Sequence, residues 1–224
     1  MTLTVSLRKY EKELGIIYLL IQQFLLPQAI GMLSLWLDYP VWLLNFLYFC
    51  MNFLAVCVIF HRFLIDSFQI LLEYPWRVLR CAGQGLLMYF VGAFLISMLI
   101  LSIKPDFANI NDQNILEMVA ESKGLLFFAT MLLVPVAEET LFRGLLFGWL
   151  FPKNKVLAYA VSVITFSVVH MLTYVFTEDP LTILLCLLQY LPAGFAMCFA
   201  YHKSDTIWTP IMMHIVINFI GLSQ

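Results

Sequence analysis

Charge is what this sequence has least of. Lys and Arg number 12 and Asp and Glu 14 in 224 residues, so only 12% of the chain is charged. That is about half the ~25% of a soluble domain. The formal net charge of −2 offers no basic surface for phosphates and excludes a nucleic-acid partner. Paired cysteines are missing as well. Cys50, Cys57, Cys81, Cys186 and Cys198 lie mostly in apolar runs without CxxC or ligand spacing. They supply neither a disulfide framework nor a thiolate metal site. No glycine-rich phosphate loop, internal repeat or low-complexity tract occurs. In their place stands apolar sequence: 62% of residues are hydrophobic and mean hydropathy is +0.92. A soluble domain is about 45–50% apolar, so the composition predicts an all-α polytopic membrane protein in one integral domain.

Seven spans are expected. The first, 14–37, is too long for a signal-peptide core and lacks a small-residue cleavage site. After Asp38-Tyr39-Pro40 the second covers about 41–60. A more polar connection, 61–84, has amphipathic character interrupted at Pro75, and it is where an eighth span could hide. The third span covers 85–103, and 104–123 follows as the longest and most acidic loop. The remaining spans are 124–151, 156–176, 181–201 and 206–222.

Basic residues are distributed unevenly between the two sides. Arg8, Lys9, Lys12, Arg62, Arg77, Arg80, Lys153, Lys155 and Lys203 fall on one, and only Lys104 and Lys123 on the other. By the positive-inside rule the N-terminus is expected in the cytoplasm of a multi-pass cell-membrane protein.

The rare charges inside spans are informative. Glu138, Glu139 and Arg143 interrupt the apolar run from Gly124 to Phe151. A charge at mid-bilayer depth costs about 2.5–3.5 kcal/mol even on the lenient insertion scale. On a helix, Glu139 and Arg143 are four apart in the favourable order, acid before base. Glu138 lies about 100° round the axis and lacks such a partner. One carboxylate is thereby neutralised while its neighbour stays available. Pro135, just upstream, removes a backbone hydrogen bond and should bend or open the helix.

Two later spans carry matching polar groups. Phe166 and His170 are four apart, as are His214 and Asn218, so each pair shares a helical face. Glu138 lies 13 residues before one end of its span, His170 15 residues into the next, and Asn218 13 residues past Asp205. Each count gives a depth of roughly 20 Å. A free carboxylate and an imidazole suit activation of water. A second imidazole and an amide suit stabilisation of an oxyanion. Singly, the charges also read as a buried structural ion pair and the His and Asn as interhelical hydrogen bonds; their common depth and complementary chemistry favour an active site.

Glu-Glu-x-x-x-Arg (138–143), Phe-x-x-x-His (166–170) and His-x-x-x-Asn (214–218), in this order, resemble the three motifs of the CPBP family. This group holds CAAX-prenyl proteases and Abi-type or bacteriocin-processing membrane proteins. Flanking stretches 140–144 and 205–214 are similar too, and the resemblance covers about 129–222. It implies an intramembrane endopeptidase whose catalytic core lies within 124–222. Glu138 and His170 would activate water, and His214 and Asn218 would form the oxyanion site. Glu139, Arg143 and Phe166 would support them. The family is often labelled as metalloproteases, but the chain has no HExxH. Were a metal used, Glu138, His170 and His214 could ligate zinc with one position open. The expectation is a metal-independent glutamate mechanism without cofactor, because it gives Asn218 a role.

The expected partners are a peptide or membrane-anchored protein substrate and the lipid bilayer. The short chain without a soluble domain favours a bacterial peptide-processing or bacteriocin self-immunity role over cleavage of prenylated proteins. Two other classes stay open: a proton-coupled transporter and an immunity protein that binds without catalysis.

Overall fold

The computed structural model describes residues 3–37, 39–122 and 124–223. Asp38 of the first turn and Lys123, counted in the charge asymmetry, lie outside the described residues. Among the described residues the chain is helical and contains no strand. Five helices are long and apolar enough to cross a membrane: α1 (Lys9–Trp36), α2 (Val41–Ile59), α4 (Pro75–Ile103), α6 (Leu125–Leu150) and α8 (Pro180–Ser204). Two shorter apolar helices, α7 (Lys155–Met171) and α9 (Trp208–Leu222), bring the apolar helices to the expected seven. The remaining helices are α3 (His61–Glu73) and α5 (Ile110–Glu121). The protein is a multi-pass all-α membrane bundle.

Burial sorts the helices by role. In α6, 56% of the most apolar window is buried and in α8 44%, against 6% in α1 and α4. The first two therefore form the centre, while α1 and α4 present their apolar side chains to lipid. Two points differ from expectation. The third span begins at Pro75 and not near 85, because proline at the first turn starts a helix whose N–H groups are unpaired anyway. Arg77 and Arg80 then sit in its opening turns, where long basic side chains reach the interface. The loop 104–123 contains α5, started by Asn109, whose side chain accepts from the Asn111 and Asp112 amides. No eighth span hides in the connection: α3 has 13 residues, about 20 Å of helix against a ~30 Å hydrocarbon core.

α3 instead packs against the starts of α1 and α9. Its Phe63 amide donates to Glu11 Oε1 at 3.0 Å. Its Leu64 and Ser67 carbonyls accept from Trp208 Nε1 at 3.0 Å and Thr206 Oγ1 at 2.7 Å. The start of α9 is thereby pinned. Close approach sets the centre. A Cβ on Gly194 of α8 would stand 3.0 Å from Val163 Cγ1 and 3.3 Å from its Cα, so α7 and α8 touch there nearly backbone to backbone.

The winding of α6 is uneven in a way that Pro135 explains. The helix widens to i,i+5 hydrogen bonding over Ala129–Leu133, returns to α over Val134–Glu139, and widens again over Thr140–Phe147. Proline has no N–H, and its ring crowds the carbonyl four residues back. A wider turn at 129–133 relieves that clash without breaking the helix. Both glutamates sit in the short α segment between the wide turns.

Candidate active site

Glu139 and Arg143 form the deepest polar pair. Arg143 Nη1 donates to Glu139 Oε1 at 2.9 Å, and both side chains are wholly buried. The guanidinium is held on two further sides. Its carbon lies 4.2 Å from the centre of the Phe166 ring, and Nη2 points to the Gly194 carbonyl at 3.4 Å. One arginine therefore joins α6, α7 and α8. The i,i+4 spacing made the Glu139–Arg143 pair legible; its two other contacts come from elsewhere in the chain.

Glu139 has a second partner that the spacing did not announce. Its Oε1 also takes His214 Nδ1 at 2.8 Å, from α9. His170 is fixed similarly, with Nδ1 at 2.7 Å from the Phe166 carbonyl. A carbonyl or a carboxylate only accepts, so each Nδ1 carries the hydrogen. In the neutral rings both Nε2 atoms then present lone pairs. They point at one atom: Glu138 Oε2 stands 3.9 Å from His170 Nε2 and 4.0 Å from His214 Nε2. This oxygen is buried and has no hydrogen-bond partner among the described residues.

The three groups open onto a cavity of about 1020 Å³, which Thr130, Tyr190 and Asn218 also line. Glu138 and His170 keep 20% and 17% of their side-chain surface accessible, whereas Glu139 has none. The two adjacent carboxylates are thus sorted, one sealed and paired and one facing the cavity. Asn218 lies a turn beyond His214, and its Nδ2 donates to the Thr130 carbonyl at 2.9 Å. That bond ties α9 to the wide turn of α6. The amide's second hydrogen is not used by it.

A zinc ion was one expectation for Glu138, His170 and His214. The hydrogen on each Nδ1, held by a carboxylate or a carbonyl, is the pattern common behind metal-bound histidines. Spacing decides against a fit. Ligands about 2.0–2.1 Å from a tetrahedral ion are about 3.3 Å apart, shorter than the 3.9 and 4.0 Å found here. Among the described residues no group of three His, Cys, Asp or Glu side chains is placed to hold a metal. A span near 4 Å is instead bridged by one oxygen at hydrogen-bond distance, ~2.8 Å, from each side.

The seven expected site residues thus surround one cavity or directly support its wall. Sequence reasoning missed Thr130, Tyr190 and the segment 109–112. The only signal for the last was the Asn109-x-Asn111-Asp112 run at the start of a polar loop.

Comparison with known proteins finds similarity in the part of the chain that carries this site. Residues 120–220 match the family described as type II CAAX prenyl endopeptidase Rce1-like. Over 116 residues the chain is 32% identical to the Bacillus subtilis (strain 168) protein named "Putative membrane peptidase YdiL". That match covers 51% of this chain and 43% of the relative, so the chain spans less than half of the relative's length in it. No solved structure matches. The segment 120–220, which carries the Glu138, His170 and His214 motifs in order, is thus similar to the Rce1-like CAAX prenyl endopeptidase family.

Proposed function

We propose that the protein is an intramembrane endopeptidase in which Glu138 is the general base. The observation that carries this reading is Glu138 Oε2 itself: buried, without a partner among the described residues, and 3.9 and 4.0 Å from two imidazole Nε2 atoms, a separation that one oxygen to the side can bridge by hydrogen bonds. A water between Glu138 and His170 gives a proton to the carboxylate while its oxygen attacks the scissile carbonyl. The carbonyl oxygen becomes an oxyanion, and the free amide hydrogen of Asn218 is its donor. For His214 to donate as well, Nε2 must carry a proton, and the resulting positive ring faces the Glu139 carboxylate. Collapse of the intermediate breaks the C–N bond, and the proton held on Glu138 passes to the leaving amine. A positioned base contributes typically 10²–10⁴-fold.

The reaction drawn in this way uses no metal. Substrates are peptides or membrane-anchored proteins, and the role is peptide processing or bacteriocin self-immunity. The N-terminus faces the cytoplasm, on the strength of the asymmetry in basic residues.

The test is cleavage of co-expressed candidate peptides by wild type and Glu138→Gln in parallel. The variant keeps the shape of the side chain and removes the base. Loss of cleavage with normal membrane abundance is the expected result. Equal cleavage by both proteins excludes the mechanism.

A further inference from the structure

The imidazole of His170 is held by more than its own helix. Phe166, one turn earlier, lies 4.6 Å from it, centre to centre, at 59°. Tyr190 of α8 covers the ring at 4.5 Å with only 29° between the planes, a stacked arrangement. The bond from Nδ1 to the Phe166 carbonyl fixes one edge of the ring. It leaves the ring free to swing about that edge unless a face is blocked. Tyr190 blocks it, and Nε2 is left aimed at Glu138.

The hydroxyl of Tyr190 is held as firmly as its ring. It donates to Asp112 Oδ1 at 2.8 Å and accepts from Asn111 Nδ2 at 3.0 Å. Asn109 Oδ1 lies 3.3 Å from the same hydroxyl, and Asn109 Nδ2 donates to Gln189 Oε1 at 3.0 Å. Four consecutive positions, 109–112, thus contribute three side chains that grip two consecutive residues of α8. The grip is also anchored in the helix start, because Asn109 Oδ1 caps α5. Asn111, Asp112, Gln189, Tyr190 and His170 all line the catalytic cavity.

We propose that Tyr190 is the positioning residue for His170, and that the start of α5 sets it by clasping its hydroxyl. The inference rests on the endopeptidase reading above and adds a part to that machinery. Displacing a reacting group by about 1 Å costs on the order of 10²-fold in rate, so a residue that touches no substrate matters through the ring it orients. The role predicts a change in turnover and not in substrate binding.

The experiment compares wild type, Tyr190→Phe and Tyr190→Leu in detergent. The probe is the member of an internally quenched peptide library that wild type cleaves fastest. Tyr190→Leu removes the stack and should lower kcat about tenfold or more, toward that ~10² limit, with KM within about twofold. Tyr190→Phe keeps the ring and loses the clasp, so its kcat should fall between the two. In parallel, proton NMR of the histidine rings, assigned with His170→Asn, should show the His170 signal shifted downfield in Tyr190→Leu as the stacked ring current is lost. Unchanged kcat in Tyr190→Leu, or a rise in KM alone, overturns the positioning role. Phenylalanine equal to wild type overturns the clasp. If wild type and Glu138→Gln are equally inactive, the endopeptidase reading fails first, and the NMR shift still reports whether the stack exists.

Discussion

Glu139 Oε1 receives two hydrogen bonds from different helices, one from Arg143 at 2.9 Å and one from His214 Nδ1 at 2.8 Å. The carboxylate therefore neutralises a buried cation and also fixes the tautomer of an imidazole that lines the candidate site. A buried ion pair is costly to break, because the remaining partner keeps its desolvation cost.

The two duties separate under mutation. Glu139→Gln leaves Arg143 without a counter-charge and should destabilise the protein by about 3–5 kcal/mol, seen as reduced membrane abundance and a lower Tm. Replacing both partners with apolar residues, Glu139→Leu with Arg143→Met, should restore most of the stability, since such swaps are often neutral. Turnover should stay low, because His214 Nδ1 has then lost its acceptor. Full activity in the stable double variant would show that orientation of His214 by Glu139 is irrelevant.

Asn218→Ala removes two things at once. On the mechanism proposed above, loss of the oxyanion donor should slow turnover by about 10²–10³-fold. The lost bond to the Thr130 carbonyl should cost about 1 kcal/mol, visible as a small fall in Tm. KM should change little. A large KM effect with kcat intact would place Asn218 in substrate binding instead.

How much of this was legible in the sequence follows from what spacing encodes. Hydropathy gave seven spans, and the i,i+4 rule gave the Glu139–Arg143 pair, because both depend on neighbours along one helix. Depth counting placed Glu138, His170 and Asn218 on one level. It could not give azimuth, so the bond between Glu139 and His214, 75 residues apart, was invisible. Tyr190 was hidden for a related reason: one tyrosine in an apolar span carries no mark of the ring it will cover. The start of α4 was misplaced because Pro75 was taken as an interruption, although proline in a first turn begins helices. Within the 104–123 loop, polarity masked a helix whose outer face is meant to be wet.

Gly194 is predicted to be intolerant of a methyl group. Its Cβ would meet Val163 Cγ1 at 3.0 Å and the Val163 backbone at 3.3 Å. Separating α7 from α8 there also withdraws the Gly194 carbonyl from Arg143. Gly194→Ala should cost about 1–3 kcal/mol. Gly83 is the control, since an added Cβ there meets nothing within 4 Å. Gly83→Ala should gain about 0.5–1 kcal/mol from helix propensity. Thermal unfolding in detergent compares the two, and equal Tm values would contradict the close contact.

The last prediction concerns metal. The three converging groups, Glu138, His170 and His214, have the chemistry of zinc ligands but are spaced for a bridging water. Zinc binding would have to draw Glu138 Oε2 closer to both imidazoles, by several tenths of an ångström in each case. Such a shift works against the Nδ1 bonds that hold both rings and against the packing of Phe166. Purified protein incubated with a strong chelator should therefore retain its cleavage activity, because proton abstraction by a carboxylate requires no ion. Glu138→Gln should be inactive with or without added zinc. The decisive contrary result is activity lost in chelator and restored by one equivalent of zinc, together with one bound zinc per chain by elemental analysis. That result would make Glu138, His170 and His214 ligands, and the base would have to be sought elsewhere along the cavity.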